Sequence, residues 1–131
     1  MNLVLDTFPL IRLFKAEAGS ERVKEILLKI QHSKGLLFMS EINAGEMYYT
    51  LARKTSLERA EEILASLSII PVNLIPTSWE LTLSAAKIKA QHSLSFADCF
   101  AVAVAIEQKA TLLTGDPEFK QVEDLVKIQW I

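Results

Sequence analysis

Short apolar runs alternate along the chain with longer segments in which apolar residues recur every three or four positions. The short runs predict buried strands, and the longer segments predict helices that each turn one apolar face toward a core. Because the runs lack the apolar–polar alternation of a half-exposed sheet, the pattern predicts an α/β fold with a mostly parallel sheet covered by helices on both faces. The predicted strands are residues 2–5, 36–39, 69–74, 111–113 and 126–130.

Helix starts are marked by capping residues. Ser40 is predicted to cap one helix, Ser20 and Ser56 open two others, and Thr77 with Glu80 has the spacing of a capping box. The helices are predicted over residues 7–14, from 20 to the break at 35, from 40 to about 54, from 56 onward, over 77–91 and over 99–106, with a short one after Asp116.

Three of these helices and one strand carry specific predictions about burial. Every residue from 99 to 106 is apolar, which predicts a helix buried on all sides. Pro71 interrupts the third apolar run, which predicts a short or edge strand there. The predicted inward positions are Leu57, Ala60, Leu64 and Leu67 in the helix from Ser56, and Trp79, Leu83, Ala86 and Ala90 in the helix over 77–91.

Composition narrows the class of protein. A chain of 131 residues predicts a single domain spanning residues 1–131, and its single Cys argues against a disulfide framework. The net charge of −2 gives no strongly basic surface, so binding of RNA or DNA would need a local patch or metal ions. No uninterrupted apolar segment approaches the ~20 residues of a membrane span. We therefore expect a cytoplasmic protein that does not enter the membrane.

Four acidic residues stand where a shared site is expected. Asp6 directly follows the first predicted strand, and Asp116 follows a later strand by two residues. Asp98 lies in the first turn of the fully apolar helix, and Glu46 lies in the helix after the second strand. Ligands of parallel sheets bind outside the carboxyl ends of the strands, so these side chains are predicted to meet there.

Each acid also has a simpler interpretation. Asp6 and Asp116 are good helix N-caps, Asp98 fits a capping box with Ser95, and Glu46 could be a solvated surface acid. The four together favour a site, because a carboxylate in a dry environment is unfavourable unless it is paired, protonated or bound to a metal. Oxygen-only ligands select Mg²⁺ or Mn²⁺, and such a cluster suits phosphodiester hydrolysis.

In order and in separation, four segments resemble the PIN domain family, and within it the VapC-type toxin ribonucleases. The segments are residues 3–7, 39–49, 95–101 and 113–119, so the resemblance spans nearly the whole chain. It implies a three-layer α/β/α sandwich and an endoribonuclease dependent on Mg²⁺ or Mn²⁺. It also implies an RNA substrate, a homodimer or higher even oligomer, and a cognate antitoxin as the toxin's partner.

Carried over by position, the resemblance assigns an acidic quartet and one supporting hydroxyl. Thr114 matches a small hydroxyl position that supports a metal or its water. Phe8-Pro9 and Cys99-Phe100 depart from the smaller residues common at these places, which bears on the shape of the substrate groove. The predicted catalytic residues are Asp6, Glu46, Asp98, Asp116 and Thr114, and the four acids among them are the predicted metal ligands.

Two other functions stay open at this level. One is a non-catalytic module that keeps the fold for RNA binding or protein interaction. The other is an aspartyl-phosphate phosphotransferase or phosphatase with Asp6 as the nucleophile, although Phe8 stands where such enzymes commonly have a second Asp. Arg12, Lys15, Arg53 and Lys54 could form a phosphate-facing rim or could simply be solvated helix residues.

Overall fold

In a computed structural model, which describes residues 1–16 and 18–131, five parallel strands form one central sheet. The strand order is β3-β2-β1-β4-β5, and every neighbouring pair is parallel, as the sequence predicts. The strands are β1 (Leu3–Leu5), β2 (Leu37–Ser40), β3 (Val72–Ile75), β4 (Thr111–Thr114) and β5 (Ile128–Trp130).

Helices connect the strands, and most of them begin at the capping residues seen in the sequence. Ser40, Ser56 and Ser95 each accept a hydrogen bond from the backbone N–H three residues on, which satisfies an otherwise unpaired donor. The helices are α1 (Thr7–Phe14), α2 (Ser20–His32), α3 (Glu41–Lys54), α4 (Leu57–Ser66), α5 (Trp79–Gln91) and α6 (Phe96–Gln108), with a 3₁₀ helix over Pro117–Val122.

The sheet separates two apolar cores, because successive side chains of a strand point to opposite faces. In β1, Leu3 and Leu5 pack with helices α1 to α4, whereas Val4 packs with α5, α6 and the 3₁₀ helix. Leu112 and Leu113 of β4 divide between the two cores in the same way. The result is the three-layer α/β/α sandwich.

The buried face of α5 is not the predicted one. Leu81, Ala85 and Ile88 are buried against α6, while Trp79 and Leu83 are 69% and 39% exposed. The helix also begins later than predicted, because Ser78 rather than Thr77 caps it by accepting a hydrogen bond from Leu81 N–H. Leu81, Ala85 and Ile88, at spacings of four and three residues, form a second apolar arc, and this arc is the one that packs.

Smaller differences occur at three places. Leu57 lies in the first turn of α4 and is exposed, and Ile63 is buried in that helix instead. Ile106 at the end of the apolar run in α6 is also exposed, although residues 99–105 are all buried. Strand β3 lies at the edge of the sheet, as Pro71 predicts, but it spans Val72–Ile75 rather than residues 69–74 because it begins only after the proline.

The position of β1 and β4 determines where a site can form. The chain adds β2 and β3 on one side of β1, then returns to add β4 and β5 on the other side. The helices that follow these strands therefore lie on opposite faces, and a crevice opens between the carboxyl ends of β1 and β4. None of the described helices is both long enough and apolar enough to span a bilayer.

Candidate active site

Asp6 stands at the carboxyl end of β1, in the crevice, and is 3% exposed. Its Oδ1 accepts a hydrogen bond from Phe8 N–H at 3.1 Å, so Asp6 is the N-cap of α1. Its Oδ2 accepts a hydrogen bond from the Thr114 hydroxyl at 2.8 Å. Both carboxylate oxygens are thus held in place, one by the first turn of α1 and the other by the end of β4.

Thr114 links this carboxylate to the next one. It is fully buried at the end of β4, and its Oγ1 accepts a hydrogen bond from Asp116 N–H at 3.1 Å. Asp116 in turn caps the 3₁₀ helix, with Oδ1 accepting from Glu118 N–H at 2.9 Å. One hydroxyl therefore sets the relative positions of Asp6 and Asp116.

Asp98 reaches the crevice from the first turn of α6. The Ser95 hydroxyl oxygen accepts a hydrogen bond from Asp98 N–H, as the capping interpretation predicts. The start of α6 is also tied to α3, because the buried Asn43 side-chain amide donates to the Ala97 carbonyl at 3.1 Å. Ser40 holds this amide by donating to its Oδ1.

Glu46 enters from α3 and is half-buried. The Thr7 hydroxyl donates a hydrogen bond to its Oε1 at 2.5 Å, and the Tyr49 hydroxyl lies 3.5 Å from its Oε2. Since Thr7 directly follows Asp6, this bond connects α3 to the end of β1 beside the buried carboxylate.

The structure brings the predicted acids together. A pocket of about 360 Å³ is lined by Asp6, Glu46, Asp98 and Asp116, along with Arg12 and Lys54 at its rim. A larger cavity of about 460 Å³ lies at the opposite edge of the sheet, near the start of β2, and its described lining contains no carboxylate. The predicted catalytic side chains therefore lie at the edge of the sheet formed by the carboxyl ends of the strands.

Two carboxylates in this pocket, Asp6 and Asp98, have a raised pKa. Burial raises the pKa of Asp6 from 3.8 to about 8; the negative charges of Asp98 and Asp116 add to this, and the Thr114 hydrogen bond opposes it. Burial also raises the pKa of Asp98 to about 6, with further contributions from the charges of Asp116, Glu46 and Glu118. Neutral pH therefore leaves the cluster under electrostatic repulsion.

The donor set fits a divalent cation with hard oxygen ligands. Carboxylate oxygens of Asp98, Asp116 and Glu118 lie within 4.8 Å of one another, and the charges of Asp98 and Asp116 act on the buried Asp6, which lines the same pocket. Among the described residues, no Lys or Arg forms an ion pair with any of these acids. A cation with several oxygen ligands would remove the repulsion that the protein leaves uncompensated.

Two residues of the site were not among the sequence predictions. Glu118 stands two residues after Asp116, and only the turn of the 3₁₀ helix brings its carboxylate back toward Asp98. Asn43 is fully buried and connects α3 with α6. The sequence signal for Asn43 was an amide between Ser40 and Glu46 on a helix face that is otherwise apolar.

Comparison with protein families agrees with the family resemblance seen in the sequence. A family model described as the PIN domain matches residues 3–125. The comparison with curated proteins found no match.

Several solved structures share the fold at low sequence identity. A VapBC2 structure from Rickettsia felis, bound to a promoter DNA fragment, is 20% identical with a TM-score of 0.77, covering 100% of this chain and 99% of that one. A DNA-bound VapBC from Salmonella typhimurium is 16% identical with a TM-score of 0.79, covering 98% and 97%. The Mycobacterium tuberculosis toxin VapC20, described as cleaving the sarcin–ricin loop, is 19% identical with a TM-score of 0.70, covering 85% and 87%.

Proposed function

Since this chain belongs to the PIN domain family, we propose that it is an endoribonuclease of the VapC type that depends on Mg²⁺ or Mn²⁺. One observation carries the proposal. Four acids from distant parts of the sequence line one pocket at the crevice between β1 and β4, and no basic residue among those described pairs with them. Such a site is electrostatically favourable only with a divalent cation present.

Asp6, Glu46, Asp98 and Asp116 are the residues that would hold the cation, and Glu118 is near enough to contribute. When bound, Mg²⁺ or Mn²⁺ makes water a stronger nucleophile at neutral pH and offsets the charge of the phosphate. The cation would also bring an RNA backbone into a pocket that otherwise repels it.

Three hydroxyl-bearing residues act as positioning residues. Thr114 orients the Asp6 carboxylate, Thr7 orients Glu46, and Ser95 fixes the turn that carries Asp98. Because these bonds exist before any ligand arrives, the carboxylates need little reorganisation on binding. The buried location of Asp6 further limits access of bulk water to its side of the pocket.

The biological setting we propose is a type II toxin–antitoxin pair, with a cognate antitoxin protein as partner and a homodimer as the assembled toxin. Its support is likeness of fold to VapBC complexes from several bacteria. Expression of the wild-type chain alone should arrest growth, and co-expression of a small DNA-binding protein encoded beside it should relieve the arrest.

The phosphotransferase alternative fits the geometry less well. A nucleophilic Asp needs a free, ionised oxygen, whereas Asp6 has both oxygens hydrogen-bonded and a pKa raised to about 8. A non-catalytic RNA-binding module would share the fold but would not need the acids. Cleavage assays separate that module from a nuclease.

The test is cleavage of defined RNA hairpins by the purified protein in Mn²⁺ or in EDTA, with Asp98→Asn as the site variant. The matched control is Asp124→Asn, because Asp124 is exposed and lies just before the amino end of β5, away from the pocket. We expect cleavage that requires Mn²⁺, a loss of at least about 100-fold in Asp98→Asn and no change in Asp124→Asn.

Cutting that persists in EDTA would rule out the metal mechanism. Cutting by Asp98→Asn at the wild-type rate would show that the pocket is not the active site.

A further inference from the structure

The pocket has a basic side as well as an acidic one, and we propose that Arg12 on this side binds the RNA phosphate next to the one that is cut. This inference rests on the proposed function and adds a substrate contact to it. Arg12 comes from α1 and Lys54 from the last turn of α3, and both line the pocket that the four acids share. Lys54 is exposed, whereas Arg12 is half-buried and held in one position.

Arg12 is held by an aromatic platform. Its guanidinium carbon lies 4.2 Å from the centroid of the Phe8 ring, which is the geometry of a cation–π interaction. Phe8 is two residues after Asp6, so the platform begins directly beside the buried carboxylate. The guanidinium therefore lies over the ring of a residue whose backbone N–H donates to Asp6.

Two glycines make room for this stack. A Cβ added at Gly19 would lie 2.7 Å from Nη1 of Arg12, and Gly19 has a φ of +92°, which side chains rarely adopt. On the other side, a Cβ added at Gly115 would lie 2.5 Å from Cε1 of Phe8. The order Gly115, Phe8, Arg12, Gly19 thus forms a close-packed layer along the rim.

The charge of Arg12 has no acidic partner in the part of the chain that the structure describes. The described ion pairs join Arg22 with Glu25 and Arg59 with Glu62, and neither involves Arg12. No described side chain or carbonyl accepts a hydrogen bond from its guanidinium either. A half-buried guanidinium that lies over a ring and has no acidic partner among the described residues is a favourable receptor for an anion with several oxygens.

Phosphate is the anion that this setting favours. The proposed reaction places the phosphate that is cut beside the carboxylates, and an RNA strand carries another phosphate on each side of it. Because Arg12 lines the same pocket of about 360 Å³ as the carboxylates, its guanidinium is within reach of this neighbouring phosphate.

The test measures RNA binding without cleavage. Asp98→Asn protein serves as the parent, and a fluorescein-labelled RNA hairpin is titrated at one Mn²⁺ concentration over a series of KCl concentrations. Arg12→Gln in this parent should weaken binding about tenfold. It should also lower the magnitude of the slope of log K against log [KCl] by about 0.7 to 0.9, the value for one lost phosphate contact.

Three further variants separate charge from position. Arg12→Lys keeps the charge and should keep the slope, while recovering part of the affinity. Phe8→Leu should also keep the slope but weaken binding about two- to fivefold, because it removes only the platform. Lys127→Gln removes an exposed charge at the opposite edge of the sheet and should change neither quantity.

Unchanged affinity and slope in Arg12→Gln would overturn the proposal, as would an equal change in Lys127→Gln. A polyglutamate peptide is titrated in parallel with the RNA. If Arg12→Gln weakens binding of this peptide but not of RNA, Arg12 belongs to a site for an acidic protein partner, and the proposal is also overturned. If the wild-type protein cuts RNA in Mn²⁺ but Arg12→Gln binds as the parent does, only the Arg12 proposal fails. If the wild-type protein does not cut RNA, and Arg12→Gln nevertheless lowers the magnitude of the salt slope, only the proposed nuclease activity is ruled out.

Discussion

At the scale of single residues, capping a helix and belonging to an acidic cluster are compatible roles. Asp6 caps α1 through Oδ1 and receives the Thr114 hydroxyl on Oδ2, and Asp116 caps the 3₁₀ helix while facing Asp98. A carboxylate has two oxygens and several lone pairs, so one backbone bond leaves it free to meet other groups. The simple and the functional interpretations of these residues were therefore not alternatives.

The raised pKa of Asp6 predicts how stability changes with pH in the absence of metal. The folded protein keeps a proton on Asp6 up to about pH 8, whereas the unfolded chain loses it near pH 3.8. Unfolding therefore releases a proton between these values, and the free energy of unfolding falls as the pH rises from about 4 to 8. Asp6→Asn, which cannot ionise, should be more stable than the wild type at pH 8 by at least about 1 kcal/mol.

Urea unfolding in EDTA at pH 5 and pH 8 measures this difference, with Asp124→Asn as the control. Asp98 contributes to the wild-type pH dependence in the same direction, since burial raises its pKa to about 6. A wild-type protein that gains stability between pH 5 and pH 8 would contradict the expected sign.

At the scale of secondary structure elements, α5 shows how two apolar arcs compete for one core. The arc of Trp79 and Leu83 and the arc of Leu81, Ala85 and Ile88 have the same helical spacing. In the folded chain the second arc packs against α6, whose buried face consists largely of Ala and Val. The larger Trp79 remains on the outer side, 69% exposed.

A pair of leucines two positions apart tests this assignment. Leu81→Ala should lower the free energy of unfolding by about 2 to 5 kcal/mol, because Leu81 is 1% exposed and its removal leaves a cavity. Leu83→Ala removes the same atoms from the exposed side and should cost less than about 1 kcal/mol. Equal losses in urea unfolding would show that α5 packs differently from the structure.

At the scale of the whole molecule, the acidic pocket exists only in the folded chain. Its carboxylates come from the ends of β1 and β4 and from the first half of α3 and the start of α6, so unfolding disperses them. A divalent ion that binds this cluster therefore binds the folded state alone and stabilises it by mass action. It also acts against the mutual repulsion that adds to the effect of burial in raising the pKa of Asp6 and Asp98.

Thermal unfolding with and without Mn²⁺ measures this coupling. At 100 times the dissociation constant the stabilisation is about 2.7 kcal/mol, so we expect Mn²⁺ to raise the Tm of the wild type by about 5 °C or more. Asp98→Asn should have a higher Tm than the wild type in EDTA, because one charge is removed, but should gain less from Mn²⁺. Equal Mn²⁺ shifts in the two proteins would place the metal elsewhere.

The sequence by itself determined the alternation of strands and helices, the parallel sheet, and the edge at which Asp6 and Asp116 lie, because these depend on residues a few positions apart. The tertiary structure decided that β1 lies beside β4, that Thr114 donates to a carboxylate 108 positions away, and that Glu118 turns toward Asp98. It also placed Arg12 between Phe8 and Gly19. Such contacts depend on packing between distant segments, and local periodicity carries no information about which segments meet.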